Sequence, residues 1–407
     1  MQKYFKNINY LILIFFTAYI FKLGIHQIYS FSNPSQTNYM YSNWLINYRG
    51  GFVRRGLNGE IILRLSSILD ISPLHTIYMF TALAWIVLTC FFVFHFIQKK
   101  HSLFILVLPF FLGETIIIDS SHILRQDSLI MLFFIAITTV FFSKRIFSEI
   151  CRFLIVNILF MLGILCHEVI FFFSFPILLI SYQHKNHSLL KSTIFLLPST
   201  IAFILSFMLP TKENVLKMLT LTPEIHPYFV RFLQTSFSQN MQELWERISS
   251  TGLLFTLLYF VYWVLSVFFV SVNFGKLQIN LNNNSTTDSK FMSQILLVQF
   301  LSMLPVFCTA WDWGRWIFLW TTSSFAYFLI ADENSFDKIP LLSKFDLKNS
   351  RIFNGLSKKP NFVFLVAIII NCQFILPLQK DFFHNAPVFS VYCMVKNAVL
   401  YTKGLFF

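Results

Sequence analysis

The stretch Phe153–Gln183 reads FLIVNILFMLGILCHEVIFFFSFPILLISYQ, and how it is threaded decides the path of everything after it. It is longer than the about 20 residues that one helix needs to cross a 30 Å hydrocarbon core. His167-Glu168 stands at its middle, with no other charged residue within about fourteen positions on either side. An ion in hydrocarbon costs a few kcal/mol or more, so the pair marks either a kink in one long helix or the turn of a hairpin. Loop charge separates the two. With the N-terminus inside, as Lys3 and Lys6 suggest, a hairpin places 17 of the 31 Lys and Arg in inner loops, six of them in 332–361. A single crossing would turn that six-charge loop outward, against the positive-inside tendency. The hairpin is the preferred reading. Each of its arms is short, so its turn is expected in a protein-lined cavity.

Outward from this point the chain repeats the same pattern. Over 407 residues it is 56% hydrophobic and 12% charged, with 53 Phe and a mean hydropathy of +0.66. Soluble domains carry about twice that charge fraction. Apolar runs predict spans at 8–29, 73–97, 102–118, 127–143, 153–167, 169–183, 192–210, 251–273, 292–309, 314–331 and 362–379. The expected fold is all-α: one integral membrane bundle over 1–407, about eleven spans, N-terminus cytoplasmic, with short amphipathic helices on the outer face. The first span reads as a retained signal anchor. Three segments stand out as loops: 30–72 and 211–250 outside, the second a lid or a surface-lying element, and the basic 332–361 inside. The cysteines form no C-x-x-C pair and no metal-site spacing, and read as small apolar residues.

Under this threading four polar motifs fall on the outer face. The first is Arg49-Gly-Gly-Phe-Val-Arg54-Arg55-Gly56, followed by Leu57, Ile61, Ile62, Leu65, Ile68 and Leu69 at helical spacing. A glycine-rich turn entering a helix N-terminus, with three planar guanidinium forks, suits a phosphate or diphosphate. It also suits lipid headgroups. The second set is Glu114, Asp119, His122, Arg125 and Asp127, in which local acid–base pairing is the plainer alternative. The third is His167-Glu168: unless a cation pairs with it, a carboxyl at that depth has a raised pKa and can serve as acid or base near neutrality. The fourth is Trp311-Asp312-Trp313-Gly314-Arg315-Trp316. Its tryptophans suit an interfacial belt or stacking on sugar rings, and Asp312 and Arg315, three apart, are placed to pair on one helix face.

The net charge of +13 is not a nucleic-acid signal, because no basic stripe with interleaved aromatics lies in a soluble segment. No Walker loop, G-x-G-x-x-G, H-E-x-x-H or G-x-S-x-G is present, which argues against ATP-driven pumps, nucleotide-cofactor enzymes, metalloproteases and serine hydrolases. Phosphate chemistry on the outer face then requires an activated donor carried by the membrane itself.

The chain resembles the bacterial O-antigen and capsular polysaccharide polymerases, the Wzy-type and EpsG-like membrane proteins. The likeness rests on the layout of spans over nearly the whole chain and on about thirty residues: His167-Glu168 … Phe175-Pro176, Ser120-Ser121-His122 … Arg125, and Asp312-Trp313-Gly314-Arg315. The Arg-rich outer loop of many such polymerases is represented only by 211–250, with Arg231 and Arg247. The resemblance implies a multi-pass protein of the bacterial inner membrane that polymerises lipid-linked repeat units. Donor and acceptor would both be glycans on a polyprenyl diphosphate. No metal, nucleotide or other cofactor would be needed, and a chain-length regulator or a flippase would be a partner. In that frame Arg49, Arg54, Arg55, Arg125 and Arg315 hold the diphosphate. Glu168 or Asp312, with Asp127 behind them, takes the acceptor proton; His167 assists; Trp311, Trp313 and Trp316 stack on sugar. A polyprenyl-linked transferase adding a single sugar, and a lipid-linked oligosaccharide flippase, are the alternatives.

Overall fold

The protein is described by a computed structural model covering residues 39–99, 124–143, 148–186, 188–209, 213–220, 237–251, 253–272, 285–310 and 313–331, with isolated positions at 101, 103, 106, 111, 211, 225, 230 and 233. The expected spans 8–29 and 362–379, the loop 332–361, Trp311, Asp312 and nearly all of 102–118 lie outside the described residues. Among the described residues every regular element is a helix: α1 Tyr39–Leu45, α2 Gly56–Leu69, α3 Pro73–Gln98, α4 Asp127–Phe142, α5 Glu149–Cys166, α6 Val169–Asn186, α7 Leu189–Met208, α8 Glu213–Thr220, α9 Phe237–Thr251, α10 Leu253–Val272, α11 Ser285–Thr309 and α12 Trp313–Ile330. Four contain apolar stretches long enough to cross a membrane: Pro73–Gln98, Glu149–Cys166, Leu189–Ser206 and Lys290–Thr309. Shorter apolar helices run at Asp127–Phe142, Val169–Gln183 and Phe260–Val272.

The helix starts follow from sequence. Ser72, Ser148 and Ser188 each accept a hydrogen bond from the backbone N–H three residues on, satisfying one of the donors a helix leaves open at its N-terminus. Pro73, at the first position of α3, has no N–H to leave unpaired.

The stretch 153–183 is broken where its one charged pair stands. α5 stops at Cys166, His167 is extended (φ −165°, ψ 116°), and α6 begins at Val169. The His167 imidazole caps the new helix, its Nδ1 accepting from the Val169 N–H at 3.3 Å. The two arms then run antiparallel. A Cβ on Gly163 would lie 2.8 Å from Ile170, the Phe160 and Phe171 rings stack at 5.9 Å, and at the far end Tyr182 Oη donates to Glu149 Oε1 at 3.3 Å. These pairs are centred on the same turn, which only a hairpin provides. Each arm, 18 residues long, rises about 27 Å at 1.5 Å per residue.

Two apolar cores result. The larger runs down the bundle, with Trp85, Phe92, Phe134, Trp263 and Trp320 almost wholly buried. The smaller sits at the end that carries the His167-Glu168 turn. It joins Tyr41, Trp44, Leu45, Ile46 and Val53 to Ile62, Ile77 and Leu124, and to Val215, Leu219, Ile225, Val230 and Leu233. The segments 41–78 and 215–233, far apart in the chain, therefore fold against each other at one end. Gly50 meets α8 closely: a Cβ there would lie 2.8 Å from Val215 Cα.

A candidate anion site built from two buried ion pairs

Arg55 is placed by a tight turn. Gly51 adopts φ 124°, Gly51 N–H donates to Tyr48 O at 2.9 Å, and Arg55 itself, capping α2, sits in the left-handed region at φ 62°. A branched-out side chain seldom takes that conformation, and holding it costs about 1–3 kcal/mol, supplied by surrounding structure. Two contacts supply it. The Tyr48 ring lies so close over Gly56 that no side chain would fit there. Asn58 Nδ2 donates to Cys166 O at 3.3 Å, tying α2 to the end of α5.

The turn aims Arg55 at Glu168. Its Nε donates to Oε2 at 2.8 Å and its Nη2 to Oε1 at 2.6 Å, a bidentate pair with side chains only 10% and 9% exposed. A second pair of the same geometry lies beside it. Arg315, in the first turn of α12, donates from Nε to Asp127 Oδ2 at 2.9 Å and from Nη2 to Oδ1 at 2.6 Å, with side chains 10% and 6% exposed. His167 stands between them, its Nε2 3.4 Å from Arg315 Nη2 and its Nδ1 3.8 Å from Glu168 Oε2. Glu168 and His167 belong to the turn, outside both flanking helices. Burial alone would raise the Glu168 carboxyl, but the Arg55 guanidinium, with His167 and Arg54 behind it, outweighs burial and holds it well below the ordinary carboxylate range. Burial first, then the charge of Arg55, keeps the imidazole neutral, well below its usual pKa. Tyr48, in the same turn, is pushed up to about 12, chiefly by burial.

The other expected residues distribute unevenly. Arg54 lies within electrostatic reach of Glu168 and His167. Arg125 is buried two residues before Asp127, whereas Arg49 is exposed. Of the expected Asp312–Arg315 pair only Arg315 is described, and it is held by Asp127, 188 residues away in sequence. Asp312 and Trp311 lie outside the described residues. Trp313 and Trp316, expected to stack on sugar, pack within the bundle in this structure. Both are 5% exposed. Trp313 donates its indole N–H to Phe307 O at 2.9 Å and packs on Phe260, and the Trp316 ring supports Arg315 from 4.8 Å.

Sequence reasoning missed the braces of this end. Asn43 Nδ2 donates to Gln126 Oε1 at 3.1 Å, Gln126 Nε2 returns a bond to Asn43 O at 2.9 Å, and Trp44 Nε1 donates to Leu124 O. Asn43 and Gln126 are ordinary polar residues next to recognised motifs, and nothing local marks them as partners.

Two bidentate arginine–carboxylate pairs are thus buried at one end of the bundle, with Arg54 next to Arg55 and the buried Arg125 two residues before Asp127. A guanidinium fork that holds a carboxylate at two points can hold phosphate oxygens in the same way. No family model matches the sequence, and neither curated proteins nor solved structures give a match.

Proposed function

We propose that the protein is a membrane glycosyltransferase of the polysaccharide-polymerase kind, acting on polyprenyl-diphosphate-linked glycans at the outer face of a bacterial inner membrane. The eleven-span path with the charged end outward belongs to the same proposal. The observation that carries it is the convergence of Arg55–Glu168 and Arg315–Asp127 on either side of His167, from four separate stretches of chain at one end of the bundle.

The chemistry follows from charge. A lipid-linked sugar diphosphate is a diester bearing two negative charges, and guanidinium forks are matched to its phosphate oxygens. The acceptor hydroxyl attacks the anomeric carbon, a new glycosidic C–O bond forms, and the C–O bond to the diphosphate breaks. One further negative charge then develops on the departing diphosphate, where guanidinium groups lower the barrier. The hydroxyl proton goes to a carboxylate.

The two bidentate pairs support an order of events. Each carboxylate occupies the fork that a phosphate would use. A diphosphate that takes over the fork of Arg55 releases Glu168 beside the reacting centre, uncovering the base as the donor arrives. His167, neutral and against both pairs, can pass a proton between them. Asp127, anchored to Arg315, is the second acid; Arg49 and Arg54 line the approach.

The test is complementation of a polymer-deficient strain with Arg55→Ala, Glu168→Gln and Arg315→Ala, each checked for membrane insertion. The expected result is loss of the polymer ladder, a rate reduction of about 100-fold or more for a removed charge-stabilising donor. A ladder of normal length from all three inserted variants would discard the site. A product extended by one sugar instead of a ladder would assign the same chemistry to a single-addition transferase.

A further inference from the structure

Helix α2 presents its side chains in three stripes, each at helical spacing. Asn58, Gly59, Ile62 and Ser66 are buried and face the protein. Asn58 Nδ2 reaches Cys166 O at the end of α5, and Gly59 abuts the Ile46 carbonyl. Glu60, Arg64 and Ser67 form the second stripe, with Arg64 and Ser67 exposed and Arg64 Nε bonded to Glu60 Oε1 at 2.8 Å. Leu57, Ile61, Leu65 and Ile68 form the third: Leu57 and Leu65 are half-buried, Ile61 is exposed, and Ile68 is 76% exposed. A helix on a water-facing surface turns its aliphatic residues to the protein and its polar ones outward. On this side α2 does the reverse, with an amide, a glycine and a hydroxyl inside and four large aliphatic side chains outside.

The place of α2 in the fold decides what meets the third stripe. The Asn58 bond ties its first turn to the end of α5, and its last turn passes through Asp70–Ser72 directly into α3. It therefore joins the ends of two helices that are long and apolar enough to cross a membrane. Both carry exposed aliphatic stripes, through Leu154 and Ile158 on α5 and through Met79, Leu83, Phe94 and Ile97 on α3. The α3 stripe is bracketed by Ser72 and His75 at one end and by the exposed Lys99 at the other. From Met79 to Ile97 it rises about 27 Å at 1.5 Å per residue, close to the thickness of a hydrocarbon core. Ser72 and His75 thus mark headgroup level, and α2 ends there. The other end of α2 is tied to Cys166, where α5 has risen a similar distance from Glu149. A helix with both ends at headgroup level lies along the membrane surface.

We propose that α2 is an interfacial helix whose Leu57–Ile61–Leu65–Ile68 flank is bedded in the acyl chains of the bilayer, with Glu60 and Arg64 among the headgroups. Such helices keep an apolar side in the boundary between headgroups and chains and a charged side above it. The occupant of the flank is bilayer lipid, because the stripe continues the apolar outer surfaces of α3 and α5 and borders an exposed ion pair. The flank also sets a depth. Arg55 immediately precedes α2, so the two ion pairs stand at the level of the lipid phosphates, where a lipid-borne anion reaches the Arg55 fork sideways from the bilayer. The placement of α2 stands whether or not the cluster transfers sugar.

The test uses the full-length protein in nanodiscs of phosphatidylcholine and phosphatidylglycerol, with a small fluorescent amino acid inserted by codon suppression at Ile68 or, for the water side, at Arg64. Both positions are exposed, so neither insertion opens the core. Each protein is quenched in two ways: by lipids brominated near the top of the acyl chain, and by aqueous iodide. The expected result is that bromolipid dominates at Ile68 and iodide at Arg64, the ratio of the two differing several-fold between the positions. A ratio at Ile68 equal to or below that at Arg64 would overturn the proposal. So would an Ile68 probe untouched by bromolipid, which would assign the flank to water, to a second copy or to another segment of this chain.

Discussion

The two ion pairs share one geometry and differ in their mounting. Asp127 is the first residue of α4 and Arg315 stands in the first turn of α12, so this pair is fixed by regular backbone on both sides. Arg55 sits in a left-handed turn and Glu168 in the two-residue break between α5 and α6, so the other pair is held by irregular backbone on both sides. Equal hydrogen bonds on unequal supports suggest a division of labour. The helix-borne pair is the fixed post. On the proposed function, the turn-borne pair is the one that opens to exchange a carboxylate for a ligand.

The contrast is most directly broken by removing one member of each pair. Asp127→Ala leaves a buried Arg315 without its anion, which costs about 3–5 kcal/mol, and the helices give it little room to relax. Thermal unfolding in detergent should show the largest loss of any single change discussed here, and Asp127→Ala with Arg315→Met should recover much of it. Glu168→Ala should cost visibly less, since the turn carrying Arg55 can re-aim toward water. Equal losses would remove the distinction between post and gate.

A smaller effect is expected at the seam between Gly50 and α8. Gly50→Val forces a side chain onto the backbone of α8, where even a Cβ would lie 2.8 Å from Val215 Cα. Overpacking of this kind costs about 1–3 kcal/mol, read as a lowered melting temperature and faster proteolysis of the 211–236 segment.

Acid should act on the turn-borne pair. The Glu168 carboxyl is depressed in the folded protein, so its stabilisation is complete above its ordinary value of 4.5 and is lost as pH falls below that. Wild type should lose melting temperature on acidification through this window, and Glu168→Gln should show a shallower dependence. The smallest effect belongs to Arg64–Glu60, an i,i+4 pair whose arginine side chain is 76% exposed. Arg64→Ala should change stability by about 0.5 kcal/mol or less.

What the sequence disclosed and what it withheld divides along the same line. The hairpin turn was legible because His167-Glu168 interrupts an otherwise apolar run, and the start of α2 at Gly56 because apolar residues recur there at helical spacing. The arginines were legible as a group, since cations beside apolar segments are expensive and few. Their partners were not. Arg315 pairs with Asp127, 188 residues away across the bundle, a contact set by helix packing that no local spacing marks. Trp313 and Trp316 illustrate the same limit: nothing in the sequence marks how deeply each indole is buried. The braces Asn43–Gln126 and Trp44–Leu124 depend on how 41–78 folds back, which local periodicity does not encode.

The central claim is that carboxylates hold the places of a diphosphate on buried arginines, and its most direct measurement is binding of inorganic pyrophosphate to the purified full-length protein by titration calorimetry. The account predicts that wild type binds, that Arg55→Gln loses binding, and that Glu168→Gln binds more tightly because the competing charge is gone from the fork. Weaker or unchanged binding by a folded Glu168→Gln, together with undiminished binding by Arg55→Gln, would contradict it.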